Sequence, residues 1–138
     1  SEAVGVASQA VDLTVAHARD REQFGRAIGS FQAVSHQIAD AYMDAENARS
    51  LSMWAAASID GGEADARLAA ETAAAFSTTA AIRACERAIQ VHGGIGFTWE
   101  HVLHRYYKRA QWISAYLDGS QMWQAVADSV IDGASYNA

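Results

Sequence analysis

One uncharged stretch limits how this chain can fold more than any other feature of its sequence. Residues 72–82 read TAAAFSTTAAI and carry no charged side chain. As an α-helix this stretch makes about three turns, and a helix without charge on any face is usually buried on all sides. Either the helix lies at the centre of its own bundle, or an extra surface such as a second subunit covers it. The sequence leaves both arrangements open.

The rest of the chain also has helical character. Its 138 residues include no proline and are rich in alanine, the strongest helix former. Apolar side chains recur every three or four positions in five segments, and glycine-containing breaks separate them. The segments are 1–20, 31–51, 64–92, 102–113 and 122–130. We therefore predict an all-α fold, an antiparallel up-and-down bundle of four-helix type with three long helices and two shorter ones.

Local signals predict where individual helices begin and end. Ser30 is the expected N-cap of the second helix, since a hydroxyl there can accept from the first free N–H groups. The sequence DGGE at 60–63 is a strong stop signal with glycine at the helix end. Thr98 or Trp99 is the expected start of the fourth helix, and DGS at 118–120 breaks the chain before the last one.

Charge and composition exclude several classes of protein. The formal net charge is −6 and no basic run exceeds two residues, which argues against a nucleic-acid partner. The longest stretches without charge are too short for a membrane span. Cys85 is the single cysteine, so it forms no internal disulfide and is expected to be a buried small apolar residue. These features predict a cytoplasmic protein, or one of the mitochondrial matrix if it is eukaryotic.

The stretch QVHGGIGFTWE at 90–100 places three glycines within four positions, Gly93, Gly94 and Gly96. It lacks the third glycine of a dinucleotide fingerprint and follows a helix, and it lacks the lysine of a P-loop. Glycines serve either a special turn or a surface that another group approaches closely, and the sequence alone leaves both readings open. His101 and His104 lie three residues apart, but metal binding needs further ligands, so we expect no metal site.

Three motifs at consistent spacing resemble the acyl-CoA dehydrogenase family. They are REQFGRAIGSFQAVSHQIAD at 21–40, QVHGGIGFTWE at 90–100 and RAQWISAYLDGSQ at 109–121. The resemblance covers essentially the whole chain and matches the C-terminal helical domain of that family. It implies that residues 1–138 form this domain, and that the N-terminal helical domain and the middle β-domain of a full member are absent from the chain.

By this resemblance the chain binds FAD, partly across a subunit interface. Arg21 would pair with the FAD pyrophosphate, for which a guanidinium with several fixed donors is well suited, although by itself this arginine could equally be a solvated charge. The other implied contacts lie along the same motifs. They are Gln23, Phe24, Phe31, Gln32, Gln90, Gly93, Gly94, Ser120 and Gln121. In the family such bundles assemble into dimers and dimers of dimers.

The chemistry implied is α,β-dehydrogenation of an acyl-CoA thioester, in which a carboxylate removes the α-proton and hydride passes to the flavin. In most members the base is the glutamate of a Y-E-G-T-S-Q-like motif. Here Tyr116, which the resemblance places at the substrate, is followed by Leu117 at the glutamate position and by Asp118. Leucine cannot accept a proton, and Asp118 is a weak candidate because its side chain is shorter and points differently. We therefore assign no catalytic residue in this chain.

Two explanations account for Leu117. Some family members carry the base on an earlier helix, at a position before Ser1. Others are hetero-oligomers in which one type of subunit lacks the base and supports flavin binding and assembly only. The expected function is thus a domain of an FAD-dependent acyl-CoA dehydrogenase, inactive as an isolated chain, with an acyl-CoA substrate, other subunits and an electron-transfer protein as partners. The alternatives are a non-catalytic assembly subunit and a related acyl-CoA oxidase or flavin monooxygenase.

Overall fold

The computed structural model describes residues 1–132, and within them the chain is almost entirely helical. Within these residues there are five α-helices, and every other element is five residues long or shorter. They are α1 (Glu2–Asp20), α2 (Gln32–Gly61), α3 (Ala66–His92), α4 (Leu103–Tyr116) and α5 (Gly119–Ile131). The predicted all-α bundle of three long and two shorter helices is confirmed.

Two short connections join these helices. The first is a hairpin between α1 and α2, in which β1 (Glu22–Gln23) pairs antiparallel with β2 (Arg26–Ala27). A 3-10 turn at Ile28–Ser30 follows it. The second is a 3-10 turn at Gly93–Phe97, after α3. We call this second segment the glycine turn.

Helix α3 lies at the centre of the bundle. It packs against α1, α2, α4 and α5. In the uncharged stretch at 72–82, every residue is buried or half-buried. The neighbouring helices of the same chain therefore cover most of this stretch, and Ala73, Ala74, Ser77 and Thr78 also line an open groove.

The helices alternate in direction, so that each end of the bundle collects a defined set of segments. His17, near the end of α1, stacks on His92 at the end of α3. The starts of α2 and α4 lie at this same end, which we call the glycine-turn end. At the opposite end, the first residues of α1 share a groove with Ile59 near the end of α2 and Tyr116 at the end of α4. We call it the groove end.

The core between the helices consists mainly of alanine, which allows the helices to approach closely. Leu103 and Cys85 are its largest fully buried side chains. Burial raises the pKa of the Cys85 thiol to about 12, so it stays protonated and unreactive at neutral pH. In residues 1–132 no helix is both long enough and apolar enough to cross a lipid bilayer.

Two of the predicted helix starts are wrong, and in each case a hydroxyl bonds locally instead. Ser30 does not cap α2, because its hydroxyl donates to the Ala27 carbonyl at 2.7 Å and Phe31 occupies the N-cap position. Thr98 does not begin α4, because its hydroxyl donates to the Ile95 carbonyl at 3.0 Å and the helix starts only at Leu103. Trp99 likewise lies before the helix.

The predicted stop after α2 is confirmed. The helix ends at Gly61, and Gly62 follows in the left-handed conformation with φ of 66°. The Glu63 N–H donates to the Ser58 carbonyl at 2.9 Å, and the Gly62 N–H donates to the Ile59 carbonyl. This pair of bonds is the one that glycine after a helix makes possible.

Candidate functional site

The hairpin after α1 places an aromatic ring in solvent on a strained backbone. Its two turn residues, Phe24 and Gly25, both have positive φ, 53° and 75°. This is the conformation of a two-residue type I′ turn, in which glycine or asparagine is usual and phenylalanine is rare. The Phe24 side chain is 92% exposed. Neither the core nor the turn explains this residue, and strained, exposed positions of this kind concentrate at binding sites.

Aromatic and cationic groups surround the hairpin tip. The Phe31 ring meets the Phe24 ring edge to face, with centroids 6.1 Å apart. The Arg26 guanidinium lies 4.0 Å above the Phe31 ring, a cation–π contact. Arg21 leads into the hairpin, and its carbonyl accepts from the Ile28 N–H at 2.8 Å. Among the described residues, the guanidinium groups of Arg21 and Arg26 form no ion pair, so each is free to bind an anion.

The three glycines of the glycine turn differ in whether the fold requires them. Gly93 has φ of 62° and ψ of −138°, which a side chain disfavours strongly. A Cβ on Gly96 would lie 2.7 Å from the Ile89 carbonyl oxygen, so packing excludes one there. At Gly94 the φ is not positive and a Cβ would meet nothing within 4 Å. The fold therefore does not require a glycine at 94, and the backbone there is open to an approaching group.

Most of the predicted cofactor residues lie at the glycine-turn end. The hairpin supplies Arg21, Gln23 and Phe24, and all three side chains are exposed. The start of α2 supplies Phe31 and Gln32, and the end of α3 with the glycine turn supplies Gln90, Gly93 and Gly94. The structure thus collects eight predicted residues at one end of the bundle.

The hairpin and the glycine turn are connected through histidines. The His17 and His92 rings stack with centroids 4.1 Å apart, and the His101 ring lies 4.5 Å from that of His92. His92 is buried, and its Nδ1 donates to the Ala88 carbonyl at 2.7 Å. Burial lowers the pKa of both His17 and His92, so both imidazoles are neutral at pH 7.

The remaining two predicted cofactor residues, Ser120 and Gln121, lie at the groove end. The length of α4, 14 residues or about 20 Å, separates them from the glycine turn. They begin α5, whose N-cap is Asp118 with φ of 47°. The Asp118 carboxylate accepts from the Ser120 hydroxyl at 2.8 Å. Within one chain, these two residues therefore do not join the site at the glycine-turn end.

The groove end contains an open cavity of about 650 Å³. Much of its wall consists of alanine and serine from α2 and α3, and Trp112 and Tyr116 of α4 border it. The rings of these two aromatic residues stack with centroids 5.0 Å apart. The ion pair of Glu2 and Arg109 also lines it, and the hydrogen bond from Arg109 lowers the pKa of Glu2. A mainly apolar groove with a few polar groups is typical of a ligand site.

The two residues considered for the base have different surroundings. Leu117 lines the groove and packs partly against the core, where it provides no proton acceptor. Asp118 is exposed, does not line the groove and caps α5. The structure gives Asp118 a structural task and no position facing the cavity. In residues 1–132 no cluster of histidine, cysteine, aspartate or glutamate is arranged to hold a metal ion.

Sequence reasoning missed three features of these sites. Arg26 carries a signal, since it stands in the same short motif as Arg21 and Phe24. Trp112 stands four residues before Tyr116 on a predicted helix, a spacing that puts both on one face. The histidine contacts carry no local signal, because they form only when α1 and α3 pack together.

Comparison with known proteins assigns the family. The sequence-family model of the acyl-CoA dehydrogenase C-terminal domain matches residues 1–126. A curated relative, the acyl-CoA dehydrogenase IpdE2 of Mycolicibacterium smegmatis, is 43% identical over 110 residues, which are 80% of this chain and 33% of that protein. This chain therefore spans about a third of the length of that relative.

Solved structures agree with this assignment. A variant of the Tcur3481–Tcur3483 steroid ACAD matches with a TM-score of 0.88 and 35% identity, over 96% of this chain and 37% of that one. The ChsE4–ChsE5 complex from Mycobacterium tuberculosis matches with a TM-score of 0.86 and 31% identity, over 94% of this chain and 35% of that one. The chain therefore belongs to the acyl-CoA dehydrogenase family, whose C-terminal helical domain it matches.

Proposed function

We propose that this chain is the part of an FAD-dependent acyl-CoA dehydrogenase that supplies contacts to the FAD nucleotide across a subunit interface. The observation that carries the proposal is Phe24, an almost fully exposed ring held at positive φ between two arginines without ion-pair partners in residues 1–132. A bound nucleotide with phosphates and planar rings would contact both the ring and the guanidinium groups. This explains features that otherwise only destabilise the chain.

Each residue at the glycine-turn end has a role that fits its chemistry. The Arg21 guanidinium binds pyrophosphate oxygens through charged hydrogen bonds. Gln23 and Phe24 line the same site, and Phe31 and Gln32 lie beside the nucleotide. Gln90, Gly93 and Gly94 face the pyrophosphate and ribose, where the open backbone at Gly94 permits close approach. FAD supplies the hydride acceptor of the reaction, and these residues hold its nucleotide.

The separation of the two groups of cofactor residues favours a shared site. Ser120 and Gln121 lie about 20 Å from the glycine turn along α4. If both groups contact flavin, each chain takes part in two flavin sites, and neighbouring subunits complete each of them. This supports an oligomer in which one subunit's glycine-turn end meets the flavin held by its neighbour.

The groove end is the proposed site of the acyl group. Tyr116 and Trp112 form an apolar wall, and the volume of about 650 Å³ suits a small-molecule ligand. Because Leu117 has no acidic group and the Glu2 carboxylate in this groove is paired with Arg109, the base comes from a segment outside this chain or from another subunit. The flavin must then be reoxidised, which implies an electron-transfer protein as a partner. We predict that residues 1–138 alone do not dehydrogenate acyl-CoA.

The proposal is tested by replacing Arg21 in the complete protein or assembly that carries this chain. Loss of a charged hydrogen-bonding partner weakens binding by about 1.5–3 kcal/mol, or roughly 10- to 100-fold in affinity. Arg21→Ala should therefore purify with much less flavin per subunit, measured from the flavin absorbance. Arg19→Ala is the matched control, an exposed arginine in the last turn of α1, two residues before Arg21. Equal flavin content in both variants would contradict the role of Arg21.

A second function is a subunit without catalytic activity in a hetero-oligomeric acyl-CoA dehydrogenase. Leu117 at the base position favours it, and the related ChsE4–ChsE5 structure is itself a complex of two proteins. In this case the full-length protein that contains this chain shows no turnover by itself. It becomes part of an active enzyme only together with a second subunit. Turnover by the purified homo-oligomer with an artificial electron acceptor would exclude this alternative.

A further inference from the structure

Three histidines from separate segments meet beneath the proposed nucleotide site. We call His17, His92 and His101 the histidine stack. His17 lies in the last turn of α1, His92 ends α3, and His101 lies just before α4. The His92 ring contacts both of the others, with centroid distances of 4.1 and 4.5 Å. None of the three is fully exposed, and His92 is buried.

The histidine stack joins the two segments that face the nucleotide in the proposed function. His17 is one helical turn before Arg21, whose N–H donates to the His17 carbonyl at 2.9 Å. His92 immediately precedes Gly93 and is anchored by its bond to the Ala88 carbonyl. The contact between these two rings therefore fixes the hairpin relative to the glycine turn.

The charges around the stack make it sensitive to protonation. Desolvation lowers the pKa of His17, and His101 and Arg21 lower it further, whereas Asp20 acts in the opposite direction. For His92, desolvation and the two other imidazoles lower the pKa, against the bond to Ala88. The other groups on the neighbouring turn are His104, bonded to the His101 carbonyl, and the exposed carboxylate of Glu100. With Arg21 already positive, a second and third positive charge in this cluster repel one another.

We propose that the histidine stack positions the hairpin and the glycine turn for the flavin nucleotide, and that it does so only while its imidazoles are uncharged. This inference rests on the proposed function. Protonation in mildly acidic solution separates the rings, loosens the two turns and weakens flavin binding. The stack is a set of positioning residues, since the contacts to the nucleotide come from Arg21, Phe24 and the glycine turn.

The direction of the pH effect on flavin binding follows from the direction of the pKa shifts. The imidazoles of His17 and His92 have pKa values below the unperturbed 6.5 in the folded protein. The stabilising effect of the neutral stack is therefore complete above about pH 6.5 and declines as the pH falls below it. Flavin affinity should be constant above neutral pH and should fall on acidification.

The test measures the dissociation constant of FAD against pH, by fluorescence titration of the apoprotein of the complete assembly. We expect the wild type to lose at least about tenfold in affinity between roughly pH 7.5 and 5.5. The double variant His17→Gln, His101→Gln keeps His92 with its bond to Ala88 but removes two of the ionisable rings. It should bind FAD more weakly than wild type at the higher pH and change less than about threefold across the range. His36→Gln, an exposed histidine on α2, should behave as wild type.

The outcomes separate this inference from the proposed function. Thermal unfolding by circular dichroism at each pH first checks that every protein compared is folded. A wild type that binds FAD with a flat pH profile overturns the inference and leaves the proposed function intact. The same holds if the double variant retains the full wild-type pH dependence. A folded wild type that binds no FAD at the higher pH overturns the proposed function, and the inference with it.

Discussion

Alanine substitutions in the glycine turn can distinguish a glycine that the fold requires from one that a ligand requires. At Gly96, an added Cβ would lie 2.7 Å from the Ile89 carbonyl oxygen and 3.1 Å from the His92 Cβ. Both neighbours belong to the last turns of α3, so backbone must move to make room. At Gly94, an added Cβ meets nothing within 4 Å and the φ is not positive.

These contacts set the expected stabilities. Overpacking against backbone costs about 1–3 kcal/mol, so Gly96→Ala should unfold at a temperature lower by roughly 2–12 °C. Gly94→Ala should change the free energy of unfolding by less than about 0.5 kcal/mol, because nothing is displaced. Gly94→Ala should instead lower the flavin content strongly, because its methyl group occupies the surface proposed to face the nucleotide.

The assay compares thermal unfolding, followed by circular dichroism, with the flavin-to-protein absorbance ratio for both variants of the complete protein. We predict that Gly94→Ala is stable but poor in flavin and that Gly96→Ala is destabilised. The ligand role of Gly94 would be refuted by a Gly94→Ala protein with normal stability and normal flavin content. An unchanged unfolding temperature for Gly96→Ala would refute the packing argument.

Three further predictions follow from single side chains. Leu103 is fully buried at the start of α4, so Leu103→Ala should lower the free energy of unfolding by about 2–5 kcal/mol in urea denaturation. Cys85, with its pKa raised to about 12, should not react with an aromatic disulfide reagent in the native protein and should react fully after unfolding. Asp118→Asn should keep any acyl-CoA turnover of the complete protein within about twofold, because asparagine also caps a helix; a loss of 100-fold or more would instead identify Asp118 as the base.

The helical architecture is largely predictable from the sequence, because apolar spacing and glycine breaks are local signals. The uncharged stretch at 72–82 predicts burial, and only the packed structure shows that four helices of the same chain cover most of it. Helix starts were less predictable. The hydroxyls of Ser30 and Thr98 bond to nearby carbonyls in 3-10 turns, a local alternative that competes with capping.

The candidate site was predictable in part. The resemblance to the acyl-CoA dehydrogenase family implied Arg21, Phe24 and the glycine turn as cofactor contacts, and these stay predictions; it did not show which glycine serves the backbone, the packing or the surface. That distinction depends on the dihedral angles of Gly93 and on the position of Ile89. The contact between His17 and His92 depends on the packing of two helices that are distant in sequence, and no local pattern predicts it.

The most direct test of our central claim is an experimental structure of the complete protein with bound flavin. We predict that the Arg21 guanidinium lies about 2.7–3.2 Å from an oxygen of the flavin pyrophosphate, and that the flavin belongs to a neighbouring subunit. The backbone at Gly94 should lie against the same nucleotide. A flavin whose phosphates lie more than about 6 Å from Arg21 in every subunit would contradict the account.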